Sequence, residues 1–103
     1  LRIETICVFG RTLVEEVIQL ELTALNLPVT PHKLMLNIET LRKTKHFAPW
    51  FCSYMHLLRV LGNEAVHDQS MENNRYPKRL EEVDLMSALS AIQSVLSIHH
   101  RQK

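Results

Sequence analysis

Apolar residues return along this chain at intervals of three and four over four stretches, the spacing that gathers them on one face of an α-helix. The first stretch, Ile3 to Leu25, carries Ile6, Cys7, Leu13, Val14, Val17, Ile18, Leu20 and Leu22 and predicts one long helix. Gly10 stands in its middle, at a cost of about 1 kcal/mol relative to alanine, and is expected to mark the close approach of a neighbouring helix. Pro28 ends this stretch, because it disfavours helical geometry at Leu27 and removes a backbone donor. Thr30 is then expected to cap a second helix with Pro31 at its first position, running to about Thr44 and burying Leu34, Met35, Ile38 and Leu41. Pro49 opens a third helix whose buried face is read as Trp50, Tyr54, Leu57, Leu58, Leu61 and Ala65, ending near His67 or Asp68. Gln69 to Lys78 has no apolar period and reads as a loop. The fourth helix spans about Leu80 to His100, with Glu81, Glu82 and Asp84 in its first turn and His99, His100, Arg101 and Lys103 at or beyond its end, as the helix dipole prefers.

Four amphipathic helices in 103 residues predict a single all-α domain, residues 1–103, folded as an antiparallel four-helix bundle. The chain enters a periodic pattern directly at Leu1, so it is expected to be a domain excised from a longer protein. A hydrophobic content of 46%, with 2 Gly and 4 Pro, argues for a packed core and against disorder. With 12 basic against 11 acidic residues there is no whole-molecule field to attract nucleic acid, so any such binding must come from a local patch. Cys7 and Cys52 lie far apart in apolar runs and are expected to be buried free thiols in a reducing compartment. No apolar run approaches the ~20 residues that span a bilayer and no signal peptide is visible, which points to an intracellular protein with no membrane partner.

The chemistry concentrates in Leu57-Leu58-Arg59-Val60-Leu61-Gly62-Asn63-Glu64-Ala65-Val66-His67-Asp68. At about 100° per residue, Arg59, Asn63 and His67 form one narrow polar stripe beside an apolar seam. A guanidinium can hold a phosphodiester and an imidazole can move protons near neutral pH, so Arg59 and His67 have the groups for metal-independent RNA cleavage, with Asn63 orienting either. The same three residues also suit a purely structural network, with Arg59 paired to Glu15 or Glu64. Gly62 would let another helix approach and would bring Arg11 and Glu15 of the first helix within reach of Arg59. Arg42, Lys43 and Lys45 form a basic end to the second helix, suited to solvent, a phosphate or an acidic partner. Phosphate-loop, metalloprotease, zinc-ribbon and hydrolase-elbow motifs are all missing, and no pair of the six His has metal-ligand spacing, so neither a cofactor nor a metal is implied.

Leu58 to His67 resembles the LR-x-x-GN-x-A-A-H signature of an uncharacterised helical family in or near the HEPN superfamily of nucleotide-binding and ribonuclease-like domains. Arg11 to Glu15 is similar to that family's first-helix R-x-x-x-E, and Ile38 to Leu41 to its second-helix I-x-x-L. The resemblance implies a HEPN-like antiparallel helical bundle, frequently dimeric and often fused to RNA-related modules. In active members an Arg and a His with about four to six residues between them form a composite site across the dimer. Arg59 and His67 would be those residues, but seven residues intervene here and Val60 follows the Arg where a polar residue is usual. Eight residues of helix separate the two groups by about 12 Å along the axis.

The expected function is therefore a non-catalytic interaction or dimerisation module of a larger, RNA-related protein, with a homodimer or another protein as partner. The alternatives are an RNA-binding domain, drawing on Lys33, Arg42, Lys43, Lys45, Arg59, Arg75, Lys78 and Arg79, or an endoribonuclease using Arg59 and His67.

Overall fold

The computed structural model describes residues 2–70 and 80–101, with backbone only for 68–70. The fold consists of α1 (Ile3–Ala24), α2 (Leu34–Lys43), α3 (Pro49–Ser70) and α4 (Glu82–Arg101), and no strand occurs among the described residues. The helix at 49–70 runs beyond His67, so it takes in the start of the expected loop; the rest of that loop, with Arg75, Lys78 and Arg79, lies outside the described residues.

Direction along the bundle follows from which residues meet. Cys7 and Arg11 of α1 lie against Gly62 of α3, while Gly10 lies against Leu58, so these two helices are antiparallel. Gly10 also meets Ile92, and Glu21 meets His99, so α4 runs the same way as α1. Between α2 and α3, Glu39 reaches His56 while Lys33 and Met35 share a groove with Arg59 and Asn63, again an antiparallel pair. The expected antiparallel packing therefore holds for α3 against each neighbour, whereas α1, α2 and α4 share one direction. Residues 25–33 make this possible by doubling back along α1, where Val29 to Lys33 pass beside Glu15, Ile18 and Gln19.

The local chemistry of that connection differs from the expected Thr30 cap. Asn26 adopts a left-handed conformation, φ 59°, which lets the Leu27 N–H reach the Leu22 carbonyl at 2.9 Å and closes the end of α1. Thr30 and Pro31 stay outside α2, which begins at Leu34 after His32 at φ 60°. Thr30 is held by the buried Asn37 instead: its N–H donates to Asn37 Oδ1 and its carbonyl accepts from Asn37 Nδ2, both at 2.9 Å. One amide thus satisfies both backbone groups of a returning chain that has no ladder to join. At the start of α4, the Glu81 N–H donates to Asp84 Oδ2 at 2.8 Å, a side-chain cap supplied from the first turn.

The core joins Cys7, Val14, Val17, Ile18 and Leu22 of α1 to Ile38 and Leu41 of α2, to Phe51, Cys52, Met55, Leu58, Leu61 and Ala65 of α3, and to Ala88, Ala91, Val95 and Ile98 of α4. The two cysteines are buried and free. Burial holds the Cys52 thiol up at about 11 and raises that of Cys7, so both are protonated at neutral pH. Three expected core positions are corrected. Trp50 is 59% exposed and Leu57 is exposed, because α3 turns Phe51 and Met55 inward; Phe51 packs on Phe47 with ring centroids 4.7 Å apart. Met35 is 56% exposed on α2. No described helix is long and apolar enough to cross a membrane.

Candidate functional site

Gly62 organises the site. A Cβ at this position would lie 2.4 Å from Arg11 Cβ and 3.0 Å from the Cys7 carbonyl, so α1 crosses α3 at a distance only glycine permits. This contact clamps the aliphatic stem of Arg11 between the helices. Its Nε is buried without a hydrogen-bond partner, while Nη2 stays 3.8 Å from Glu15 in a half-exposed i, i+4 pair. The guanidinium of Arg11 thereby opens onto a groove with His32, Lys33, Met35, Leu36, Arg59 and Asn63. Of the expected neighbours of Arg59, Arg11 shares this groove with it and with Asn63, whereas Glu15 lines a different concavity and Arg59 Nε bonds His56 rather than a carboxylate.

A second concavity adjoins the first across Arg59, Met35 and Leu36, and is completed by Glu39, Arg42, Lys43 and His56. Four of these side chains form a chain of hydrogen bonds between α2 and α3. Arg59 Nε donates to His56 Nδ1 at 3.3 Å, His56 Nε2 meets Glu39 Oε2 at 2.6 Å, and Arg42 Nε donates to Glu39 Oε1 at 2.7 Å. Because Arg59 has only protons to offer, Nδ1 must accept, which leaves the His56 proton on Nε2 facing the carboxylate. His56 and Glu39 were not singled out as site residues in the sequence; the i, i+3 spacing of Glu39 with Arg42 and of His56 with Arg59 is the local signal they carry.

The hydrogen bonds from Arg42 and then His56 hold the Glu39 carboxyl at about 2, well below its ordinary 4.5. A carboxyl with a depressed folded value contributes stability that is complete above about pH 4.5 and is lost as pH falls toward 2. Urea unfolding midpoints measured across that range are therefore expected to fall less steeply for Glu39→Gln than for the unmodified chain.

His67 does not join this arrangement. It is exposed two helical turns beyond Arg59, about 12 Å along the axis. Lys45 is exposed, at φ 57° just past the end of α2, and lines neither groove. Among the described residues no group of three His, Cys, Asp or Glu side chains is placed to hold a metal ion. A different polar pair is the most enclosed: His99 Nδ1 meets Glu21 Oε2 at 2.5 Å, with both side chains largely buried between α4 and α1.

Chemically, the two grooves present five cations around an exposed thioether and an exposed leucine, with the single Glu39 carboxylate inside and already doubly bonded. That is a surface for recognising negative charge beside apolar groups. Compared with known proteins, the chain matches no family model, no curated protein and no solved structure.

Proposed function

We propose that this chain is a non-catalytic helical interaction module of HEPN-like type that pairs with a second copy of itself and serves a larger, RNA-related protein of the cell interior. The observation that carries this reading is the outward apolar face of α3 and α4. Trp50, Leu57 and Val60 on α3, with Val83 and Met86 on α4, are all exposed. Trp50 and Tyr54 share a concavity with Gln93, Ser97 and Arg101, so α3 and α4 present a joined surface there rather than isolated residues. An exposed aromatic anchor with a polar border, on helices that expose further apolar side chains along their length, has the make-up of a protein interface. Two buried free thiols suit a reducing compartment.

The test is sedimentation equilibrium of the 12.0 kDa chain. A mass of two chains is expected, with Trp50→Asp and Leu57→Asp each raising the dissociation constant by about a hundredfold or more, as loss of an interface anchor does. Helical circular dichroism should be unchanged, since both side chains lie outside the core. A monomer at all concentrations would remove the self-pairing reading. The endoribonuclease alternative needs His67 of one copy to approach Arg59 of another, because within one chain the two lie too far apart along α3 to share a phosphate.

A further inference from the structure

We infer that the face built by α2 and the adjoining flanks of α1 and α3 is a docking groove for an acidic amphipathic helix of a partner protein. The proposal rests on the interaction-module reading and adds to it a second surface, with a ligand of different chemistry.

Charge supplies the first argument. Arg11, Lys33, Arg42, Lys43 and Arg59 all line the two adjoining concavities, although the whole chain carries a net charge of only +1. Five cations share this one face, with only Arg11 loosely paired outside it, to Glu15 at 3.8 Å, so the face attracts negative partners in a way the average charge conceals. Glu39 lies among them but is occupied by Arg42 and His56, and so offsets little of the field at the rim.

Apolar surface supplies the second. Met35 and Leu36 are adjacent, exposed and common to both concavities, placing an apolar strip between the cations at either end. Lys33 and Lys43 bracket α2, and ten residues of helix separate them by about 15 Å. A helical segment of about three turns fits that span. It would set apolar residues at i, i+3 and i+4 on Met35 and Leu36 and carboxylates toward Lys33 and Arg11 at one end and Lys43 at the other. An unbranched thioether at the centre suits such a partner, since it adapts to different side chains.

The same cations would also attract RNA, but the lining argues for the peptide. It offers a base no Phe, Tyr or Trp ring to stack on, only the imidazoles of His32 and His56, whereas the exposed Met35 and Leu36 strip gives apolar side chains of a peptide a seat that a phosphate backbone does not use.

Fluorescence anisotropy of the full 103-residue chain decides the matter. The probe is a fluorescein-labelled twelve-residue peptide of three Leu-Glu-Glu-Leu repeats, set against the same peptide with every Leu replaced by Ser and against a labelled uridine decamer. Micromolar binding of the Leu/Glu peptide is expected, weakened about tenfold or more by joint Lys33→Glu and Lys43→Glu, by Met35→Ser in the chain, and by the Ser replacement in the peptide. These are exposed positions, so helical circular dichroism should not change. Undetectable peptide binding, equal binding by the altered chains, or tighter binding of the uridine decamer than of the peptide would each overturn the proposal. Sedimentation of the same samples separates the two surfaces: peptide binding lost with the dimer intact sinks the groove alone, and a monomer that still binds peptide sinks self-pairing alone.

Discussion

Gly62→Ala is expected to lower the thermal unfolding midpoint by roughly 10 °C, the equivalent of about 2 kcal/mol in a domain of this size. Two effects of opposite sign compete. Alanine in a helix interior is favoured over glycine by about 1 kcal/mol. Against that, the new methyl would lie 2.4 Å from Arg11 Cβ and 3.0 Å from the Cys7 carbonyl, atoms fixed to the α1 backbone that cannot swing aside. Overpacking of this kind costs up to about 3 kcal/mol, and here it requires α1 and α3 to separate along their length, so the steric term wins. Gly10→Ala is the internal control. Its methyl would meet Leu58 Cδ2 at 3.0 Å and Ile92 Cδ1 at 3.4 Å, both ends of flexible side chains, so little change in midpoint is expected. If both glycines tolerate alanine equally in differential scanning calorimetry, the close crossing at Gly62 is not what sets the spacing of α1 and α3.

The second large effect concerns Glu21 and His99. Replacing either one by alanine should destabilise the chain by about 3 kcal/mol, because the partner left behind is a largely buried polar group with nothing to bond. Joint replacement by leucine, Glu21→Leu with His99→Leu, should recover most of the loss. Neither polar group then remains, and the nearby positions Val17, Ile18, Leu22 and Ile98 on the same two helices are buried and apolar. Urea unfolding of the two single variants and the double variant closes the cycle. Losses that simply add would mean the two side chains contribute independently, contrary to the 2.5 Å contact between them.

The four helices were legible because each carries a long apolar period, and both glycines were legible because an unforced glycine inside a helix is a cost that needs a reason. From Gly62 the approach of Arg11 toward Arg59 and Asn63 followed, and the structure has them in one groove. The inward face of α3 was not legible. Its first three turns are apolar nearly all round, with Trp50, Phe51, Tyr54, Met55, Leu57 and Leu58, so periodicity offered two faces and only the packing of Phe51 on Phe47 selects between them. Thr30 read as a helix cap by local rules, yet the backbone it belongs to is satisfied by Asn37, seven residues on. Glu21 with His99 and Glu39 with His56 were out of reach for the same physical reason. A polar residue on an apolar helix declares that it needs a partner, but the partner is chosen by tertiary contact, across 78 and 17 residues respectively.

The make-up of α4's inner side bears on how the molecule opens. Its buried residues are two alanines, a valine and an isoleucine, whereas α3 buries Phe51, Met55, Leu58 and Leu61 along with smaller groups. Detaching α4 therefore withdraws fewer large apolar side chains from the core than detaching α3 does, and the polar hold to be broken is one imidazole on one carboxylate. In kinetic terms the chain is a three-helix nucleus, assembled through contacts close in sequence between α2 and α3, to which α4 returns across the whole length of the domain. Its amides belong to the first cooperative unit to exchange with solvent, ahead of those of α1 and α3.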